Sequence, residues 1–258
     1  MTKHSTTKEF KSTYSYRNFD QEVRHNNRFI RNKASEDFLE KLLETCKKRI
    51  ASLSLGDELW RAQLGCDWRP DSNGEDKFEV PCAFGPERMK PLPEKMGDGR
   101  INPRRIAYLY LATDMKTAIA EVRPWVGAYV SIGNFKILQD LKLVDCTKDL
   151  PKGFKIYFIE PSPDERENAV WTDINRALSS PVGPMDDYAA YIPTQIIAEL
   201  FKVNKYDGII YQSSLGQGKN MCLFDPNMAK IVWGSLYKVK TVNFAAIEEE
   251  MERYIVRG

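Results

Sequence analysis

The stretch IAYLYLATDMKTAIAEV, at residues 106–122, joins a short apolar segment to an amphipathic one. Side chains alternate along a strand, which places Tyr108 and Tyr110 on one face of the first segment. In the second segment the apolar residues recur at helical spacing, and Glu121 falls at the edge of their stripe. The stretch predicts a strand followed by a short helix, with a carboxylate that can line a cleft. Tyrosines that only pack and a surface glutamate are the alternatives.

Three further segments carry a polar residue in an apolar or glycine-marked frame: Arg61 in LWRAQLG, Arg100 in GDGRINP and Ser213 in DGIIYQSS. An arginine in an apolar frame needs a carboxylate or a phosphate as its partner. For Arg61 that partner is either a ligand phosphate or an internal carboxylate such as Glu121. Ser213 ends an apolar strand, shares a face with Tyr211 and leads into a glycine-containing loop.

That loop contains GQGK at residues 216–219, which is weak evidence for a phosphate cradle because it lacks the spacing and following helix of a P-loop. Along the rest of the chain, strands and helices mix without strict alternation, which is typical of an α+β fold. Predicted helices include one capped by Ser35 and the segments AVWTDINRAL, PTQIIAELFKV and AAIEEEMERYI. Predicted strands include AYVSIGNFKI, LKLVDC, GFKIYFIE, DGIIYQSS, NMCLFD, KIVW and SLYKVKTVNF.

Composition excludes several classes of protein. The five cysteines are scattered without a CxxC pair, so we expect no zinc or other metal site and a reducing, cytoplasmic location. No apolar run reaches the roughly 18 residues of a membrane span. The two histidines, His4 and His25, lie in polar N-terminal sequence, which argues against imidazole-based hydrolysis. The net charge of +2 and the absence of a helix-turn-helix pattern argue against direct nucleic-acid binding.

Taken together, these segments resemble the RES-domain family, which is named for its Arg, Glu and Ser. Arg61, Glu121 and Ser213 match those three residues, GR at 99–100 and Tyr110 match further motifs, and the resemblance spans about residues 56–230. Two segments of the C-terminal half are also similar: TQIIAE at 194–199 and YDGIIYQSS…KNMCLFDP at 206–226. The chain departs from the family pattern at Ile101, where a tryptophan often stands, and in the long spacing before Gly99.

The resemblance implies an ADP-ribosyltransferase-like α+β fold and a toxin that cleaves the nicotinamide–ribose bond of NAD. NAD is then a consumed substrate, and no cofactor is required. The implied partners are an Xre-type helix-turn-helix antitoxin and, in some family members, a second copy of the chain. A mono-ADP-ribosyltransferase acting on a protein and a non-catalytic nucleotide-binding module are the alternatives. The implied domains are a flexible arm (1–18), a helical N-terminal extension (19–55) and the RES domain (56–258).

The resemblance also implies roles for individual residues. Glu121 would stabilise the charged ribose, and Arg61 and Arg100 would hold the pyrophosphate. Tyr110 would stack on nicotinamide, while Ser213 would hydrogen-bond the ribose or the amide. The remaining substrate-binding candidates are Tyr108 and Ser214, as register alternatives to Tyr110 and Ser213, and Tyr211.

Overall fold

The protein is built on one large sheet with helices against it. A computed structural model describes residues 9–71, 78–151, 159–180 and 188–243. Its α-helices in these ranges are α1 (Ser15–His25), α2 (Lys33–Cys46), α3 (Pro86–Met89), α4 (Met115–Glu121), α5 (Pro163–Ser179) and α6 (Ile192–Val203). Its strands there are β1 (Ile50–Leu53), β2 (Glu58–Leu64), β3 (Asp67–Pro70), β4 (Glu79–Cys82), β5 (Leu109–Ala112), β6 (Tyr129–Ile137), β7 (Leu141–Asp145), β8 (Gly208–Gln212), β9 (Lys219–Leu223) and β10 (Ala229–Lys238).

In the described ranges the large sheet has the strand order β1-β7-β8-β9-β5-β2-β6-β10, and β3 pairs separately with β4. β7 and β8 are parallel, while the other neighbours in the large sheet are antiparallel. A parallel pair needs a long crossover, and here the crossover contains α5 and α6. This mixed sheet with flanking helices confirms the predicted α+β class.

A short connection forces the large sheet to bend. Residues 138–140 alone join β6 to β7, yet these strands stand five positions apart in the sheet. In a flat sheet that separation would be about 24 Å, whereas the connection reaches at most about 14 Å. The two ends of the sheet therefore curl toward each other. All eight strands contribute apolar side chains to one enclosed core: Leu53, Leu59, Leu109, Leu111, Phe135, Ile137, Leu141, Leu143, Ile210, Met221, Leu223 and Ala229.

Helices cover the outer face of this bent sheet in two groups. α1, α2, α5 and α6 share a second core with β7, β8 and β9, in which Leu42, Trp171 and Phe201 are fully buried. α4 packs separately on β2, β5 and β6 through Ala118. The outer face between α4 and the larger helical group is left open, at the point where β5 meets β2. In the described part of the chain, no helix has the length and apolar character required to span a bilayer.

The N-terminal segment is more structured than the sequence predicts. Helix α1 begins at Ser15, and Phe10 and Tyr16 are buried against Phe38 of α2, so part of the predicted arm 1–18 belongs to the core. Phe10 and Tyr16 are buried aromatic residues in a stretch rich in Ser, Thr and Lys, and they supply the apolar surface that orders it. Residues 1–8 lie outside the described ranges. The division into arm, extension and RES domain stays a prediction.

Several element boundaries differ from the sequence prediction. Asn32 caps α2 by accepting a hydrogen bond from the Ser35 N–H at 2.9 Å, so Ser35 lies inside the helix and is not its cap. The predicted strands KIVW and SLYKVKTVNF form the single strand β10, which absorbs a bulge between Ile231 and Trp233. Helices α5 and α6 and strands β8 and β9 confirm their predicted segments. The predicted strand GFKIYFIE and the helix AAIEEEMERYI fall largely or wholly outside the described residues.

The shared core predicts that the N-terminal helices unfold together with the sheet. Leu42 is completely buried where α2 meets α5 and α6, so Leu42→Ala should lower the free energy of unfolding by roughly 2–5 kcal/mol. Leu55, which is 67% exposed, is the matched control, and its Ala variant should stay within about 0.5 kcal/mol. Denaturant unfolding followed by circular dichroism measures both. A separate early transition of α1 and α2 in the Leu42→Ala variant would contradict a shared core.

Candidate active site

Helix α4 delivers Glu121 to the open part of the outer face. Asp114 caps the helix by accepting a hydrogen bond from the Thr117 N–H at 2.8 Å, and the helix ends seven residues later at Glu121. The C-terminus of a helix carries partial negative charge, so a carboxylate there does not stabilise the helix. Glu121 must therefore be held by groups outside its own helix.

Two side chains from other segments hold the Glu121 carboxylate. The Ser213 hydroxyl donates to Oε1 at 2.6 Å, and the Asn220 amide Nδ2 donates to the same oxygen at 2.7 Å. Oε2 receives no hydrogen bond from the described residues. One oxygen is thus fixed by two side-chain donors, while the other is not engaged by the described residues.

The Ser213 hydroxyl is fully engaged by the protein. While it donates to Glu121, its oxygen accepts the Leu215 N–H at 3.1 Å and the Gly216 N–H at 2.8 Å. A hydroxyl that gives one bond and accepts two has used its whole capacity. Ser213 is therefore placed to orient Glu121. Ser214 points elsewhere, since its hydroxyl donates to the Ser179 carbonyl at 2.7 Å.

The GQGK loop is built for packing, and its backbone offers little to a phosphate. The Gly218 N–H donates to the Thr117 hydroxyl and the Lys219 N–H to the Thr113 hydroxyl, each at 3.0 Å. A Cβ on Gly216 would lie 2.7 Å from Thr117 Oγ1, and one on Gly218 would overlap Asp114 Oδ2. The loop therefore lies directly on the first turn of α4. The weak phosphate-cradle interpretation of this segment is wrong.

Arg61 lies at a gap in the sheet. Pairing between β2 and β5 is limited to Trp60 and Ala112, and the Arg61 Nη1 then donates to the Tyr110 carbonyl at 2.9 Å. Among the described residues, the buried Nε atom has no hydrogen-bond partner, and no carboxylate lies within ion-pair distance of the guanidinium. Burial lowers the pKa of Arg61. No salt bridge therefore joins Arg61 to Glu121, and no carboxylate of the described residues neutralises this half-buried cation.

A cleft of about 260 Å³ brings four of the predicted residues together. Its lining comprises Trp60, Arg61, Ala62, Tyr110, Leu111, Ala112, Ala118, Glu121, Val122, Tyr211 and Asn220. Arg61 and Tyr110 come from the two strands that separate, Glu121 from α4 and Tyr211 from β8. These residues are far apart in the sequence, and the order of the strands brings them together in space.

Tyr110 faces the cleft with its ring and the interior with its hydroxyl. That hydroxyl donates to the Asn102 Oδ1 at 2.8 Å and accepts the Ile101 N–H at 3.3 Å. Burial raises the pKa of Tyr110 well above its usual value. A Cβ on Gly99 would lie 3.0 Å from the tyrosine hydroxyl and would overlap Asn102, which explains the glycine before Arg100. The GR segment is thereby anchored to the cleft wall.

Tyr108 and Arg100 do not line the cleft. Tyr108 is 1% exposed, packs on Phe224, and has a buried hydroxyl without a hydrogen-bond partner among the described residues. Arg100 donates from Nη1 to the Leu178 carbonyl at 2.7 Å. Its charge still reaches Tyr211: burial and then Cys222 and Glu121 raise the pKa of Tyr211, while Arg100 lowers it. Arg100 and Glu121 therefore both lie near this tyrosine.

Sequence reasoning missed two cleft residues, Asn220 and Trp60. Asn220 is a 5% exposed polar residue in the apolar strand NMCLFD, and that contrast was the available signal. Trp60 packs edge-to-face on Trp233, with 5.8 Å between ring centroids, and forms an aromatic wall of the cleft. Among the described residues, no group of three or more His, Cys, Asp or Glu side chains is placed to hold a metal ion.

The contact between the loop and α4 predicts that Gly218 is required for stability and for the position of Glu121. Gly218→Ala should lower the free energy of unfolding by about 1–3 kcal/mol, because its Cβ overlaps Asp114 and crowds the hydroxyls of Thr113 and Thr117. Gly97→Ala is the matched control, since nothing lies within 4 Å of its added Cβ. Thermal and denaturant unfolding compare the two. Equal stability of both variants would contradict the proposed packing.

Comparison with known proteins assigns the family. The RES domain model matches residues 58–239, which is most of the chain. No curated protein matches. Among solved structures, a chain in the crystal structure of the M.tuberculosis MbcT-MbcA toxin-antitoxin complex is similar over 77% of this chain and 92% of that chain, with 14% sequence identity and a TM-score of 0.38. By the extent of the domain match, the chain belongs to the RES-domain family.

Proposed function

We propose that the protein is a toxin enzyme that consumes NAD by breaking its nicotinamide–ribose bond. One observation carries the proposal: the carboxylate of Glu121, whose Oε2 receives no hydrogen bond from the described residues, shares a cleft with the half-buried guanidinium of Arg61, which has no carboxylate partner among them. A carboxylate suits a centre that becomes positive, and a guanidinium suits a phosphate. NAD contains both kinds of group in one molecule.

Glu121 is suited to stabilise the reacting ribose. Cleavage of the nicotinamide–ribose bond builds positive charge on the sugar, as in glycoside cleavage. Ser213 and Asn220 fix the carboxylate before substrate arrives, so it need not reorganise as the charge develops. Its Oε2 is available to the ribose hydroxyls. The leaving group, nicotinamide, is already cationic in NAD, so the step requires no metal.

Arg61 is suited to bind the pyrophosphate. A half-buried guanidinium without a carboxylate is incompletely solvated, and a bound phosphate would supply the missing interaction. Within the described part of the chain, its Nε has no hydrogen-bond partner, and Nη1 alone donates, to the Tyr110 carbonyl. We place Arg100 on the far side of Tyr211 as a second contact to the phosphates. Its bond to Leu178 holds one end of the guanidinium and orients the rest.

The cleft volume indicates which part of NAD is enclosed. About 260 Å³ is below the roughly 300–1,000 Å³ of sites that surround a whole ligand. We assign the cleft to the nicotinamide and its ribose, against the rings of Trp60 and Tyr110. The adenosine end then extends outside, past Tyr211 and Arg100.

The acceptor of the ADP-ribose and the partner of the protein belong to the same proposal. Water or phosphate as the acceptor would make the protein a glycohydrolase or a phosphorylase, and a protein acceptor would make it a mono-ADP-ribosyltransferase. Ser213 is not assigned as an acceptor, because its hydroxyl is bound to Glu121 and two backbone N–H groups. Family membership supports an Xre-type antitoxin as the partner. We further propose a cytoplasmic location, and a homodimer as the second assembly to test.

The first prediction concerns Glu121. Glu121→Gln keeps the size of the side chain but removes its charge, so turnover of NAD should fall by about 10²- to 10³-fold with the fold intact. Glu199→Gln on α6 is exposed and is the matched control, with turnover expected to match wild type. Chromatography of NAD and its products, with protein freed of any antitoxin, measures both.

Two outcomes would overturn the proposed reaction. Wild-type protein that leaves NAD intact with water, phosphate and candidate protein acceptors present would exclude the glycohydrolase, phosphorylase and transferase together. Calorimetry showing NAD binding without nicotinamide release would favour the nucleotide-binding module instead.

The second prediction separates the function of Arg61 from the stability of the fold. Arg61→Met fills a similar volume and removes a buried cation, so the free energy of unfolding should stay within about 1 kcal/mol of wild type or rise. NAD affinity should fall by roughly 10- to 100-fold, as expected for lost charge-assisted hydrogen bonds. Denaturant unfolding and calorimetry measure the two quantities. A large loss of stability with unchanged affinity would assign Arg61 a structural role.

A further inference from the structure

We propose that Asn220 is a positioning residue that acts through Glu121, a role that rests on the proposed function. Asn220 is the second residue of β9 and is 5% exposed. Its Nδ2 lies 2.7 Å from Glu121 Oε1. A carboxylate only accepts hydrogen bonds, so the amide nitrogen must be the group that faces it. The side chain thus supplies a donor that no apolar residue of this strand can replace.

Asn220 is more rigidly placed than Ser213. In the sheet it lies between Tyr211 of β8 and Ala112 of β5, so strand pairing on both sides fixes its backbone. Ser213 lies where β8 passes into a loop, and its position depends on that loop. A site held by strand residues is more accurate than one held by loops. We infer that the sheet sets the position of the carboxylate through Asn220.

Two donors on one oxygen fix the direction of the other oxygen. With Ser213 alone, the Glu121 carboxylate would be free to turn about a single hydrogen bond at the end of its helix. Displacements of about 1 Å in a reacting group cost on the order of 10²-fold in rate. Loss of Asn220 should therefore lower kcat and leave KM for NAD nearly unchanged, because the phosphate contacts assigned to Arg61 and Arg100 remain.

Two substitutions separate hydrogen-bond donation from packing. Asn220→Ala removes the amide, and Asn220→Asp keeps its shape but replaces the donor with an acceptor beside Glu121. We expect kcat to fall about 10- to 100-fold in the Ala variant and at least as far in the Asp variant. If Asn220 only filled space, the isosteric Asp variant would be the more active of the two, and this result would overturn the proposal.

Asn134 provides a matched control. It is a buried asparagine of the same sheet, 3% exposed, whose Nδ2 donates to the Glu58 carboxylate at 3.2 Å. Asn134→Ala tests what the loss of a buried asparagine and its hydrogen bond to a glutamate costs outside the carboxylate cluster, and it should leave kcat within about twofold of wild type. Equal losses of kcat in the Asn134→Ala and Asn220→Ala variants, each normalised to its folded fraction, would overturn the proposal.

A double-mutant cycle tests whether Asn220 acts through Glu121. In the Glu121→Gln background, Asn220→Ala should cause little further loss of kcat, since the group that it positions is already inactive. Full additivity would show an independent role and would overturn the proposal. If wild type consumes NAD and Glu121→Gln does not, but Asn220→Ala resembles wild type, only the role of Asn220 fails. If wild type itself leaves NAD intact, the proposed reaction fails.

Discussion

At the carboxylate of Glu121, helix α4 meets the β8–β9 hairpin, which lies more than 90 positions later in the chain. Helix α4 presents the carboxylate, the end of β8 donates through Ser213, and β9 donates through Asn220. The Glu121 carboxylate depends on these two donors, because a carboxylate at a helix C-terminus gains no stabilisation from its own helix. The loop that follows Ser213 lies on the first turn of the same helix. Helix, loop and strand therefore define one rigid unit around a single oxygen atom.

The gap between β2 and β5 differs from the unit around Glu121, because regular hydrogen bonding is missing there. Regular pairing between the two strands is interrupted there, and the Arg61 side chain donates a hydrogen bond to the backbone carbonyl of Tyr110 on the neighbouring strand. A buried guanidinium without a carboxylate lowers the stability of the protein. Sites that bind ligands often keep such unfavourable groups, because the ligand supplies the missing interaction. The well hydrogen-bonded carboxylate of Glu121 therefore lies next to a guanidinium, that of Arg61, which lowers the stability of the fold.

The sequence predicts the elements of this fold better than their arrangement. Amphipathic and alternating patterns locate α5, α6, β8 and β9, and the positions of Arg61, Glu121 and Ser213 follow from local contrasts of polar and apolar residues. Asn220 shows the same contrast within NMCLFD, but that contrast does not reveal its partner, because Glu121 lies 99 positions away in the sequence. The bend of the sheet is also not predicted by the sequence. It follows from the strand order together with the short connection 138–140, and strand order is a tertiary property.

Tyr108 shows where local pattern misleads. It shares a face with Tyr110, as alternation predicts, and both pack toward the helical core. Only Tyr110 stands at the gap between the strands, so only it reaches the cleft. Periodicity gives the side of a sheet on which a residue lies, but the position along that side depends on the neighbouring strands.

The order of the strands also determines at what stage of synthesis the contacts to Glu121 can form. Arg61 and Glu121 belong to the first half of the polypeptide, whereas both donors to Glu121 belong to β8 and β9, near its end. β9 inserts between β8 and β5, so the central part of the sheet closes only after residues 219–223 have been synthesised. A nascent or C-terminally truncated polypeptide that lacks β8 and β9 contains Glu121 without Ser213 and Asn220, the two residues that hold its carboxylate.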